Sequence, residues 1–134
     1  MALVLFLEDE PRLVQNLPSL LKPKGLDLVA TTSIQEALQW FGEHTYDAVL
    51  LDTIMPPTED MDAEALGYGL ETGVEVARRM KALKPQVPVI ALTVMHDPEI
   101  QRRMREAGIV DIINKPAEPD QIAEVLLRHI RRSY

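Results

Sequence analysis

One stretch of the sequence constrains the fold more than any other, the apolar run Ala48–Leu51 that stops at Asp52. Four apolar residues in a row are typical of a strand buried on both faces, as in a parallel sheet. Pro56 and Pro57 follow closely and force an irregular loop. Open α/β sheets bind their ligands at the carboxyl ends of such strands. Taken alone, Asp52 is more typical of a turn or capping residue. Whether it belongs to a functional site therefore depends on the residues in the rest of the chain.

Apolar runs and helical periodicities alternate along the whole chain. The sequence predicts strands over residues 3–7, 26–30, 48–51, 87–92 and 109–113. Apolar positions at helical spacing predict five helices, which begin near Pro11, Ile34, Val74, Pro98 and Pro119. This alternation predicts one α/β domain over residues 1–134, with a parallel sheet covered on both faces through right-handed crossovers.

Several local features of this pattern give specific expectations. We expect Leu20 of the first helix and Leu83 of the third to face the core. Pro18 should kink the first helix or interrupt its hydrogen bonds. Residues 57–72 show no clear periodicity, and a short helical turn is expected around residues 63–66. This insertion-like loop is either mobile and solvated, or its acids and Tyr68 shape partner choice and access to the site.

Composition excludes several classes of function. The net charge of −7 argues against direct binding to nucleic acid, which requires a basic face. No apolar run approaches the ~20 residues needed to span a bilayer, so no membrane association is expected. The apolar N-terminus meets acids at once and lacks the basic region of a signal peptide. The absence of cysteine fits a cytoplasmic location and leaves no thiolate metal site.

Polar side chains stand at the predicted carboxyl ends of four strands. Glu8 and Asp9 end strand one, and Asp52, Thr93 and Lys115 end strands three, four and five. These ends converge on one edge of a parallel sheet, where three carboxylates would repel one another without a cation. A hard divalent ion that binds oxygen ligands, most typically Mg²⁺, would remove this repulsion. The three carboxylates, the Lys115 ammonium and the Thr93 hydroxyl are the groups that phosphoryl transfer onto a carboxylate requires.

Four segments carry a family resemblance: LFLEDEP at 5–11, LLDTIMP at 50–56, VIALT at 89–93 and NKP at 114–116. The chain resembles the receiver domain of two-component response regulators from about residue 3 to residue 132. The resemblance implies a flavodoxin-like (βα)5 three-layer sandwich with strand order 2-1-3-4-5. It implies that Asp52 accepts a phosphoryl group. It also implies that Asp9, Asp52 and the backbone carbonyl of Ile54 bind Mg²⁺, with Glu8 acting directly or through water.

By the same resemblance, Thr93 and Lys115 hold the phosphoryl oxygens. The phosphoryl donor would be a sensor histidine kinase or a phosphotransfer protein, and the chain would signal rather than turn over a substrate as an enzyme. A downstream protein would bind the face formed by helix four, strand five and helix five. The sequence leaves open whether the chain forms a homodimer, and whether it stands alone or belongs to a longer regulator.

The sequence departs from the family pattern at three places. The family usually has a glycine soon after the phosphoacceptor, and here the best match is Gly73, twenty-one residues after Asp52. Ile112 stands where an aromatic switch residue is common. Val94 stands where a small residue is usual, which is expected to narrow access to the phosphoryl group.

Other functions fit the residues less well. A flavodoxin should offer phosphate-binding hydroxyls after strand one, where this chain has acids. A haloacid-dehalogenase phosphatase normally has a second aspartate two residues after the first, where this chain has Ile54. The glycines between residues 67 and 73 do not match a dinucleotide fingerprint. The main alternative is a receiver-like docking module that acts without phosphorylation.

Overall fold

The computed structural model describes the backbone of residues 1–133 and the side chains of residues 1–131. Its centre is a five-stranded parallel sheet of order β2-β1-β3-β4-β5. The strands are β1 (Ala2–Leu7), β2 (Leu26–Thr31), β3 (Ala48–Leu51), β4 (Val89–Thr93) and β5 (Ile109–Asn114). The helices are α1 (Pro11–Leu21), α2 (Ile34–Glu43), α3 (Thr72–Leu83), α4 (Pro98–Glu106) and α5 (Pro119–Ser133). The predicted flavodoxin-like fold and its strand order are confirmed.

Two apolar clusters cover the two faces of the sheet. One joins α2, α3 and α4 to alternate strand residues such as Val49, Leu51 and Ala91. The other joins α1 and α5 to the intervening residues, such as Leu50 and Leu92. β3 is buried along its whole length, as its unbroken apolar run predicts. The three layers therefore follow from the period-two alternation of side chains across a strand.

Three predicted details differ in the structure. β4 begins at Val89 rather than at residue 87, because Val87 still closes a turn with the carbonyl of Lys84. Leu83 is exposed because it is the last residue of α3, and the chain leaves helical geometry at Lys84. Leu20 was also predicted to be inward and is half exposed, since the core side of α1 is occupied by Leu17 and Leu21.

Helix α1 continues through Pro18 as one element. Proline has no N–H, so the carbonyl of Val14 receives no helical hydrogen bond from position 18. The interruption that the sequence predicts is thus limited to one bond. A short 3₁₀ turn, Lys22–Lys24, and the left-handed Gly25 then lead into β2.

The insertion, residues 57–71, packs against the domain. Met61 and Leu66 are buried in the cluster beneath α3. The sequence does not predict this burial, because the segment has no regular apolar periodicity. The predicted turn at residues 63–66 is present, with a hydrogen bond from Leu66 N to Asp62 O of 3.1 Å. A 3₁₀ turn, Gly67–Gly69, follows. The two ends of the insertion meet where Met55 N donates to Gly69 O at 3.2 Å.

Candidate functional site

The register of the sheet brings the predicted site residues to one edge. Leu7 of β1 aligns with Leu51 of β3, so Glu8 and Asp52 leave their strands at the same level. The backbone N–H of Asp52 donates to Leu7 O at 2.9 Å and holds the two strand ends together. On the far side, Lys115 N donates to Thr93 O at 2.9 Å. The convergence expected for parallel strands is therefore present.

Asp52 is nearly enclosed by its surroundings. The residue is only 5% exposed, and its Oδ1 accepts a hydrogen bond from Ile54 N at 3.2 Å. This Asx-type contact turns the chain out of the sheet directly after β3. Ile54 itself is half-buried, and the expected part of its carbonyl in binding Mg²⁺ stays a prediction.

Lys115 lies between two buried carboxylates. Its Nζ is 2.8 Å from Oε1 of Glu8 and 3.7 Å from Oδ2 of Asp52. It follows β5 directly and precedes a cis peptide bond to Pro116. One ammonium facing two carboxylates leaves an excess of negative charge in a place with little solvent, and this arrangement favours a further cation.

Glu8 shows the effect of that excess in its proton affinity. The side chain is fully buried, and its Oε2 accepts a hydrogen bond from Glu10 N at 3.0 Å. Burial, together with the nearby Asp52, raises the pKa of the Glu8 carboxyl to about 7, although Lys115 and the Glu10 amide act to lower it. The other oxygen, Oε1, faces Lys115 Nζ, and the expected part of Glu8 in binding Mg²⁺, directly or through water, stays a prediction.

Asp9 is exposed at the same edge of the sheet. It lines a cavity together with Met55 and Pro56, the residues that follow Ile54. Among residues 1–131, no three acidic or histidine side chains lie close enough to hold a cation jointly. Mg²⁺ commonly uses one or two carboxylates and fills its remaining positions with water. The oxygen donors of Asp9, Asp52 and the Ile54 carbonyl fit that requirement, and the excess negative charge fits a divalent ion.

The hydroxyl of Thr93 is bonded to the residues around the ends of β3 and β4. Thr93 follows Ala91 in the alternation of β4, so its side chain lies on the α3 and α4 side of the sheet. Its Oγ1 is 2.7 Å from Oγ1 of Thr53 and accepts a hydrogen bond from Met95 N at 3.0 Å. The predicted contact of Thr93 with a phosphoryl oxygen stays a prediction.

Sequence reasoning missed Thr53, which is fully buried. The signal that points to it is a hydroxyl two residues after the apolar run of β3, with another hydroxyl, Thr93, at the end of the neighbouring strand. Because Leu51 pairs with Ala91, the residues two positions further along each strand direction come side by side and bring their hydroxyls together.

Gly73 is the point where α3 contacts the site. Its N–H donates to Thr53 O at 2.9 Å. A Cβ at this position would collide with the Cα of Thr53 and lie 2.7 Å from the carbonyl oxygen of Asp52. The close approach requires glycine, and it places α3 directly behind the end of β3 despite the insertion.

The two other departures from the family pattern have clear positions. Ile112 of β5 is half-buried against the cluster beneath α4. Val94 is 55% exposed, and it lines a cavity of about 510 Å³ with Lys115 and Pro116. An exposed valine in the same cavity as Lys115 is consistent with the narrowed access that the sequence predicts, which stays a prediction.

The loop after β4 is tied to β5 and α4. Asn114 Nδ2 donates to the carbonyl oxygens of Thr93 at 3.3 Å and of Met95 at 3.0 Å. Gln101 Nε2 of α4 also donates to Met95 O, at 2.9 Å. A change in the position of Thr93 would therefore be transmitted to both β5 and α4.

None of the helices among residues 1–133 has the length and apolar character needed to cross a membrane.

The geometry defines a class of protein: a parallel α/β domain with a buried aspartate, a second acid and a lysine at the carboxyl edge of its sheet. The family model for the response regulator receiver domain matches residues 4–127. The chain belongs to this family of two-component signalling domains.

Similar proteins agree with this assignment. The transcriptional regulatory protein ZraR of Salmonella typhimurium is 27% identical over 133 residues, which cover 97% of this chain and 27% of that protein. The chain thus spans about a quarter of the length of this relative.

Two solved receiver domains share the fold. A CheY-like receiver from Methanospirillum hungatei superposes with a TM-score of 0.83 at 19% identity, covering 99% of this chain and 96% of that one. The receiver domain of a Pseudomonas aeruginosa sensor histidine kinase has a TM-score of 0.77 at 23% identity, covering 97% of this chain and 98% of that one. That structure has a magnesium ion coordinated in its active-site cleft.

Proposed function

We propose that this chain is a phosphoacceptor that takes a phosphoryl group from a phosphohistidine onto Asp52 in a Mg²⁺-dependent reaction. The observation that carries the proposal is the position of Lys115, whose Nζ lies 3.7 Å from the buried Asp52 carboxylate. A fixed ammonium beside a carboxylate suits a reaction in which negative charge collects on phosphoryl oxygens. The donor is a sensor histidine kinase or a phosphotransfer protein.

In this reaction an Asp52 carboxylate oxygen forms a bond to phosphorus, the phosphorus–nitrogen bond breaks, and the imidazole leaves. Lys115 binds a phosphoryl oxygen, and Thr93 binds another after its side chain turns. Asp9, Asp52 and the Ile54 carbonyl would hold the divalent ion, which supplies positive charge to the phosphoryl oxygens. The role of Glu8 is to orient Lys115 through their ion pair.

The output is a change in protein–protein contacts. Met95, Asn114 and Gln101 connect the end of β4 to β5 and α4, which supports the α4, β5 and α5 face as the surface that a downstream protein reads. A cytoplasmic location is part of this proposal, which leaves the oligomeric state open. The domain turns over no separate substrate, and its own slow dephosphorylation is the only hydrolysis we expect.

Intact-mass spectrometry after incubation with acetyl phosphate or phosphoramidate tests the proposal. One phosphoryl adduct should form on the wild type only with Mg²⁺ present, and Asp52→Ala should abolish it. Glu59→Ala, which removes an exposed acid of the insertion, is the matched control and should keep the adduct. If no adduct forms, a beryllofluoride titration shows whether the phosphodonor is too large to reach Asp52 or the site itself does not bind a phosphoryl group. Failure of both experiments would contradict the proposal.

The second candidate is a docking module that acts without phosphorylation. The Thr53–Thr93 hydroxyl pair favours it because it holds the Thr93 side chain in place. The isoleucine at position 112 also favours it, since it lacks the aromatic ring that commonly moves with the threonine in this family. A downstream partner that binds Asp52→Ala and wild type equally, with and without phosphodonor, would support this function instead.

A further inference from the structure

The paired hydroxyls of Thr53 and Thr93 lie outside the residues that the proposed reaction uses directly. Both residues are fully buried, and their Oγ1 atoms are 2.7 Å apart. Met95 N also donates to Thr93 Oγ1 at 3.0 Å. Between these two partners, the Thr93 side chain is held in one orientation by the ends of β3 and β4.

In that orientation the Thr93 hydroxyl is bonded to Thr53 and Met95. Thr93 follows Ala91 in the alternation of β4, which places its side chain with the cluster beneath α3 and α4. Thr53 lies two residues beyond the end of β3 and reaches the same side through its contact with Thr93. Among the hydrogen bonds of the described residues, none joins Thr93 Oγ1 to the Asp52 carboxylate.

We infer that Thr53 is a positioning residue that restrains Thr93 in the unphosphorylated protein and so sets the free energy needed to switch it. This inference rests on the proposed function. When Thr93 turns to a phosphoryl oxygen, the buried Thr53 hydroxyl loses its partner, and an unpaired buried hydroxyl is unfavourable. The restraint therefore weakens phosphoryl binding. A residue without a hydroxyl at position 53 would remove the restraint.

The test compares wild type with Thr53→Val and Thr53→Ser. Valine keeps the shape of threonine without its hydroxyl, and serine keeps the hydroxyl. Thr53→Ala provides a second hydroxyl-free variant if valine packs poorly. Beryllofluoride affinity in the presence of Mg²⁺ is measured by NMR titration, and the Met95 amide reports on the orientation of Thr93.

We expect Thr53→Val to bind beryllofluoride about fivefold more tightly than wild type, as for the loss of one typical hydrogen bond. In the free Thr53→Val protein the Met95 amide resonance should move toward its beryllofluoride-bound position, and Thr53→Ser should match wild type within about twofold. If wild type binds and Thr53→Val binds equally or more weakly, the role of Thr53 is wrong while the proposed function stands. If no folded variant binds, the proposed function fails and the role of Thr53 fails with it.

Discussion

The ammonium group of Lys115 lies 2.8 Å from Oε1 of the fully buried Glu8 and forms an ion pair inside the site. This partner is nearer than the Asp52 carboxylate. A phosphoryl group on Asp52 would therefore have to share Lys115 with Glu8. The pair also gives the metal-free protein a titration that is measurable near neutral pH.

The stability of the metal-free protein should fall as pH rises from about 5 to about 7. The Glu8 pKa is about 7 in the folded protein and 4.5 in its ordinary state, so the folded protein binds more protons in this window. The decrease should reach at most about 1.4 kcal/mol per pH unit. Urea denaturation in a chelator measures it. Glu8→Gln should remove this component, and an identical slope in both proteins would contradict the assignment.

Removing Asp9 should sharply weaken Mg²⁺ binding, because its carboxylate is a proposed direct ligand. Asp9→Asn keeps the size of the side chain and removes its charge. Glu10→Gln is the matched control, since the Glu10 side chain is exposed and adjacent in sequence. Isothermal titration of both variants with Mg²⁺ is the measurement. Unchanged affinity in Asp9→Asn would overturn the role of Asp9.

Gly73→Ala should destabilise the domain by about 1–3 kcal/mol, because the added methyl group overlaps the backbone of Thr53. It should also impair phosphorylation, since the displaced backbone includes the carbonyl of Asp52. Gly42→Ala in α2 is the control. Its added Cβ meets nothing within 4 Å, and the change should stabilise the helix by about 0.5 kcal/mol. Thermal denaturation of both variants decides, and equal effects would contradict the close packing at Gly73.

Leu66→Ala should destabilise the domain by about 2 kcal/mol because Leu66 is buried in the core. Leu70→Ala is the matched control in the same segment. Leu70 is 47% exposed, and its truncation should change the free energy of unfolding by less than about 0.5 kcal/mol. Urea denaturation measures both. Equal, small effects would mean that the insertion is a solvated loop.

The ion pair between Glu71 and Arg103 should connect the insertion to α4. Arg103 Nε lies 2.6 Å from Glu71 Oε1, and the Glu71 side chain is only 16% exposed. A double-mutant cycle with Glu71→Gln and Arg103→Gln should give a coupling free energy of about 1 kcal/mol. The exposed pair of Arg102 and Glu106 within α4 serves as the control and should give about 0.3–0.5 kcal/mol. Equal coupling in the two cycles would contradict a specific link.

The fold and the meeting of Glu8, Asp52 and Lys115 could be predicted from the sequence because parallel strands end at one edge. The burial of Met61 and Leu66 could not, since a segment without regular secondary structure has no periodicity to reveal its inner side. Leu20 and Leu83 were predicted wrongly because an apolar residue can fit the helical spacing and still lie outside the part of the helix that contacts the core. The direction of the Thr93 hydroxyl was not predicted, because a hydroxyl at the end of a strand does not by itself show that it binds Thr53.

The hydrogen bond between Met55 and Gly69 means that the polypeptide leaves and re-enters the domain at a single point. Because the two ends of the insertion are joined, residues added between them need not change the spacing of the strand before them and the helix after them. The exposed Glu59 is the suitable point for such an addition, since Met61 and Leu66 have to stay in the core.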